Sequence, residues 1–234
     1  MALDTNLVRY YRLGDLNDSV GSNNLTQNGT VNHSDGAVNN SGTLGASFTG
    51  ATNYLSGPNY DIGGNNFSFS LWLETDQINE ALTERCAFIM TSVDGQNYCQ
   101  VSQDTTDQIR ILWGNTPTFV TQTTTIAANT WYHIVGVADG TNVLFYFNGS
   151  QIDTDASGEP TGTSTFHIGT HSITADVFRY FKGHVGEVGI WTRALSGAEV
   201  TELYNGGAGI TYPFPVAVSG KTLGMTTNTK FFGG

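Results

Sequence analysis

Between Phe67 and Leu73 the chain runs Phe-Ser-Phe-Ser-Leu-Trp-Leu, and this alternation restricts the fold more than any other stretch of the sequence. A period of two puts Phe67, Phe69, Leu71 and Leu73 on one face of a strand, with Ser68, Ser70 and Trp72 on the other. The run Trp131–Val137 ends at Asp139-Gly140, and Val143–Phe147 follows and ends at Asn148-Gly149. Apolar runs punctuated by Asp-Gly and Asn-Gly predict an antiparallel meander. Further strands are predicted at 86–91, 97–102, 108–113, 165–169 and 184–191, with no long 3.6-residue period in competition. The expected core includes Phe69, Leu71, Trp131, Val135, Phe145, Ile168, Val188 and Leu203.

One short helix is predicted over 197–204. Ser196 is a good N-cap, Glu199 three residues on completes a capping box, and Leu195 with Val200 can form the hydrophobic staple. Gly206 is a suitable stop.

Composition fits this all-β reading. Only 12% of the 234 residues are charged, while 38% are hydrophobic, 12% aromatic and 29 are glycine, a mixture suited to short strands and many turns. Twenty acids against nine bases give a net charge of −11, which argues against a nucleic-acid partner. No run of 18 apolar residues is present, so no membrane-spanning helix is expected. Met1-Ala2-Leu3-Asp4 leads directly into Leu7–Tyr11 without signal-peptide features, and synthesis in a cytoplasm is the expectation. Cys86 and Cys99 are then expected as buried free thiols.

Several blocks together resemble a known family. Tyr10-Tyr11-Arg-Leu13, Asp18-Ser-Val-Gly-Ser-Asn-Asn-Leu25 and Asn28-Gly-Thr30 are similar to the opening of bacterial and phage laminin-G-like domains. Phe67 to Leu73 resembles their Trp-containing strand, and Asn129-Thr-Trp-Tyr-His133 with Phe145-Tyr-Phe-Asn-Gly149 resembles their central hairpin. Phe166-His-Ile-Gly169, Gly183 to Trp191 and Arg193 to Glu199 resemble the closing strands and helix. The resemblance implies an all-β, two-sheet antiparallel jelly-roll sandwich of the laminin-G-like and concanavalin A-like type. Its members bind glycans or protein partners, or serve as passive modules. Many relatives carry Asp-Glu in the closing strand where this chain has Gly186-Glu187, so an acid linked with a structural cation is missing. Asp15, Asp18 and Glu187, with loop carbonyls, remain the candidate calcium ligands; calcium needs six to eight oxygens. Otherwise no cofactor is expected.

Catalytic patterns are tested and set aside. Laminarinase-type enzymes of this broad fold order their carboxylates Glu-x-Asp-x-x-Glu along one strand, as retaining hydrolysis requires. Glu74-Thr-Asp76 begins this pattern, but Asn79 occupies the third acidic position, and a solvated strand end is expected instead. No Gly-x-Ser-x-Gly elbow occurs. His133 shares a face with Trp131 and Val135 and is expected to be a hydrogen-bonded core histidine. Trp72, Trp113, Trp131 and Trp191 lie in strand patterns that suit core packing. Exposed aromatics stack on sugars, and Tyr98, Trp113 and Phe119, nearer loops, are the better carbohydrate candidates.

The sandwich is expected to occupy residues 1–207, with 208–234 as an extended tail. Prolines at 213 and 215 keep that segment extended, and Phe214, Leu223, Met225, Phe231 and Phe232 are the expected assembly anchors on a neighbouring subunit. These features predict a non-enzymatic structural and adhesion module. The expected setting is a phage or virion surface, as a decoration, head-fibre or tail-associated protein, with other virion subunits or further copies of itself as partners and glycans as possible ligands. The alternative is a carbohydrate-binding module from a larger secreted enzyme or adhesin.

Overall fold

The computed structural model describes residues 2–37, 44–61, 66–78, 85–92, 98–114, 118–121, 125–156, 163–170 and 180–215. The strands are β1 (Leu7–Tyr11), β2 (Thr26–Asn28), β3 (Asn32–Ala37), β4 (Leu44–Thr49), β5 (Tyr54–Asp61), β6 (Phe67–Thr75), β7 (Arg85–Ser92) and β8 (Tyr98–Gln103). They continue with β9 (Ile109–Gly114), β10 (Thr118–Thr121), β11 (Trp131–Ala138), β12 (Val143–Phe147), β13 (Ser150–Asp155), β14 (Thr163–Ile168) and β15 (Lys182–Trp191). One sheet has the order β13-β12-β11-β6-β15-β4-β3, with β1 also pairing β15; the other has the order β10-β9-β8-β7-β14-β5-β2. Every pairing between these strands is antiparallel, as the meander signals predict.

Period-two alternation builds the core. Phe67, Phe69, Leu71 and Leu73 of β6 point between the sheets, where they meet Phe88, Val101, Ile111, Phe166 and Ile168 from the facing sheet. Side chains of this size stabilise a fold by about 1.5–3 kcal/mol each when fully buried. Gly136 on β11 is needed for this packing: a Cβ there would lie 2.4 Å from the Phe69 ring. Of the expected core residues, Trp131 alone is only partly buried.

A second apolar layer covers part of the outer face of the β6–β15 sheet. Helix α1 (Gly197–Tyr204) begins at the Ser196–Glu199 capping box and ends on Asn205 in the left-handed conformation. Leu195, Val200 and Leu203 pack on Val135, Val137, Tyr146 and Trp191. Arg193 grips Glu199 through two hydrogen bonds of 2.7 and 2.9 Å. Burial pushes the Glu199 carboxyl up, but hydrogen bonds from Arg193 and Ser196 and the Arg193 charge hold it below its ordinary value.

The boundary expected at residue 207 falls inside this layer. Ile210, Tyr212 and Phe214 pack against the same cluster, and Phe214 meets Tyr10 at 5.5 Å and stacks on Trp191 at 6.4 Å. Arg12 Nε donates to the Tyr212 carbonyl at 3.1 Å. In an extended segment alternate residues share a side, so Ile210, Tyr212 and Phe214 turn inward together while Pro213 and Pro215 are exposed. Phe214 therefore anchors the segment to its own sandwich. Leu223, Met225, Phe231 and Phe232 lie outside the described residues. Cys86 and Cys99 are buried free thiols, as expected.

Candidate functional site

Helix α1 and residues 205–215 cover one part of the outer face of the β6–β15 sheet, and a polar row lies beyond them. The register places Trp131 of β11 opposite Glu74 of β6, Glu74 opposite His184 of β15, His184 opposite Ser47 of β4, and Ser47 opposite Asn32 of β3. Directly opposed residues share a face, so these five side chains form one line across five strands. Asp76, two residues beyond Glu74, joins the same side.

Local backbone brings the row together. Gly183 has φ of +141°, and a Cβ there would lie 2.1 Å from the Glu74 carbonyl oxygen. Only glycine allows β15 to approach β6 so closely, and His184 follows immediately. Its Nδ1 lies 3.8 Å from Glu74 Oε1 and 3.8 Å from Asp76 Oδ1. The Trp131 indole leans towards His184, with ring centroids 6.1 Å apart, and its far edge would meet a Cβ on Gly45 at 3.3 Å. Burial pushes the Glu74 carboxyl up; the His184 interaction opposes that and Asp76 adds to it. Glu74 and Asp76 are thus members of a partly buried cluster, and the expectation of a solvated strand end does not hold for Glu74.

One row along the sheet, Trp72 and His133 are buried. Their rings stand 4.9 Å apart, Tyr204 stacks on both, and His133 pairs with Ser70 Oγ at 2.8 Å. Burial lowers the His133 pKa to about 3, so it is a neutral, hydrogen-bonded interior histidine, as expected.

The other candidate residues are distributed differently. Trp113 is fully buried between the sheets, stacked on Phe69 at 5.8 Å, because it is in phase with Ile109 and Ile111 on β9. No sugar reaches its face. The side chains of Tyr98 and Phe119 lie outside the described residues. Asp18 spends its oxygens on the loop, accepting from the backbone of Tyr10, Val20 and Asn23 and from Asn23 Nδ2. Asp15 accepts from Asn17, and the buried Glu187, on a bulge with φ of +52°, accepts from Tyr10 Oη. Asp15, Asp18 and Glu187 therefore serve local hydrogen bonding. Among the described residues, the metal-ligand atoms that converge within 4.8 Å are those of Glu74, Asp76 and His184. His184 was not a sequence candidate; the signal for it was the Gly183-His184 pair opening a strand, visible only once β15 is registered on β6.

A sequence model of the family described as the concanavalin A-like lectin/glucanases superfamily matches residues 49–201, well over half of the chain. The chain belongs to this superfamily. The matched span of this lectin/glucanase-type domain contains Glu74, Asp76, Trp131 and His184. No curated protein sequence matches it. Its fold is similar to domain 4 of an extracellular arabinanase from Geobacillus stearothermophilus, solved in complex with arabinotriose, at a TM-score of 0.67 and 20% identity, covering 84% of this chain and 97% of that one. The binding domain of Paraclostridial Mosquitocidal Protein 1 aligns at a TM-score of 0.67 and 17% identity, covering 87% and 53%. A botulinum neurotoxin serotype D/C binding domain aligns at 0.70 and 13%, also covering 87% and 53%. The chain thus spans about half the length of the toxin binding domains.

Proposed function

We propose that the chain is a non-catalytic carbohydrate-binding module whose ligand lies along the Trp131–Glu74–His184–Ser47–Asn32 row. The observation that carries this is Trp131, an indole still partly open on a sheet face and flanked by side chains that donate and accept hydrogen bonds. An aromatic face takes the apolar side of a sugar ring, while carboxylates, imidazole, hydroxyl and amide groups match its hydroxyls. The arabinotriose bound to the arabinanase domain supports the ligand class. Glu74, Asp76 and a net charge of −11 disfavour acidic glycans, so the expected ligand is a neutral oligosaccharide.

The non-catalytic reading is supported by Asn79 at the position of the third carboxylate of the laminarinase pattern and by His184 as the group facing Glu74 and Asp76. A glycan array with the purified chain, run beside hydrolysis assays on arabinan and β-glucan, tests both parts. Binding to neutral oligosaccharides without turnover is expected; turnover lost in Glu74→Gln would refute the non-catalytic reading. Display on a virion surface, alongside other subunits or further copies, belongs to the same proposal and rests on the Gly-, Thr- and Asn-rich composition. Co-sedimentation of the chain with particles tests it.

A further inference from the structure

His184 Nδ1 has no hydrogen-bond partner and is cut off from solvent, although two carboxylates face it. At 3.8 Å from each, it is beyond the 2.7–3.2 Å of a hydrogen bond. Two ligands of a tetrahedral ion, each about 2.1 Å from it, stand about 3.4 Å apart. The two distances from the imidazole are thus nearer to an edge of a coordination tetrahedron than to a hydrogen bond, and all three donor atoms lie within 4.8 Å of one another. Their side chains retain 16% exposure for His184, 14% for Glu74 and 34% for Asp76, so an ion can enter while the nitrogen stays shielded. Two carboxylates on one side of the imidazole also supply oxygen donors and negative charge that a divalent ion can neutralise.

We propose that Glu74, Asp76 and His184 bind a divalent transition-metal ion of the zinc type through one imidazole nitrogen and two carboxylate oxygens. A ligand set with imidazole suits zinc and its neighbours, whereas calcium requires six to eight oxygens. Three protein ligands leave a fourth position for water or another oxygen donor. This site shares Glu74 and His184 with the proposed glycan row, but it is tested separately, since metal uptake is measured without sugar.

The test uses tag-free, chelator-stripped full-length protein titrated calorimetrically with zinc sulfate and, separately, calcium chloride. One equivalent of zinc is expected to bind, with calcium much weaker. His184→Ala and Glu74→Gln should each weaken zinc at least about tenfold, as expected on removing one of three ligands. The melting temperature of each variant establishes that it is folded. If neither variant folds, cobalt added to the wild-type protein decides: intense visible absorption of a low-coordinate ion supports the site, and the pale spectrum of a hydrated octahedral ion overturns it. No saturable zinc uptake by the wild-type chain, tighter calcium than zinc, or unchanged zinc affinity in both folded variants would also overturn it.

Discussion

Tyr10 and Glu187 show how one residue's chemistry is tied to the fold. Both are buried, and the phenol donates to the carboxylate, so burial and the neighbouring negative charge raise the Tyr10 pKa well above its ordinary value. Tyr10→Phe removes the donor and leaves the apolar ring in place. It should destabilise the chain by about 1–3 kcal/mol in denaturant melts, the usual cost of removing one partner from a buried polar group. His133 makes a second residue-scale prediction. Its pKa is about 3 in the folded chain and about 6.5 when unfolded, so the unfolded state takes up the proton first. The associated stability is complete above about pH 6.5 and is lost as pH falls towards 3. His133→Gln, which keeps a hydrogen-bonding side chain without the titration, should show a shallower fall in melting temperature between pH 7 and 4.5. Parallel curves would contradict this.

At the scale of elements, α1 and the segment after it are held by a few definable contacts. Arg193→Ala should cost about 3–5 kcal/mol by leaving the buried Glu199 unpaired. The Glu199 carboxyl is held below its ordinary value, so the stability it contributes is present above about pH 4.3 and lost as pH falls through the lower folded value. Truncation after Gly207 should lower stability by a few kcal/mol, because Ile210, Tyr212 and Phe214 would leave Tyr10 and Trp191 uncovered. An unchanged melting temperature would mean that these contacts contribute little. The helix, with its cap and staple, was legible residue by residue because its signals are local. The docking of 208–215 was not, since alternation reveals a buried side but not the surface that buries it.

Over the whole molecule the same distinction decides what the sequence discloses. Periodicity identified β6, β11, β12 and β15 and the core face of β6, but on β11 the expected core residues Trp131 and Val135 lie on the outer face, while Ile134 and Ala138 enter the core. It could not tell which part of an outer face is covered. Trp72 and Trp131 were both read as suited to core packing; on the same outer face Trp72 is buried by Tyr204, whereas Trp131 is partly open. Trp113, read both as suited to core packing and as a carbohydrate candidate, points inward with Ile109 and Ile111, so the core reading holds. Glu74 and Asp76 were visible as a fragment of a catalytic pattern. Their relation to His184, more than a hundred positions away, depends on strand order and on Gly183.

On the proposed function, the open row centred on Trp131 holds a neutral oligosaccharide. Its most direct test is the calorimetric affinity of the strongest array ligand for the wild-type chain and for Trp131→Ala, with circular dichroism to establish that both are folded. Loss of the stacking face should weaken binding about tenfold or more, or about 1.4 kcal/mol, while a Trp113 variant that remains folded should bind normally. Equal affinity of the wild-type and Trp131→Ala chains would place the ligand elsewhere and contradict the claim.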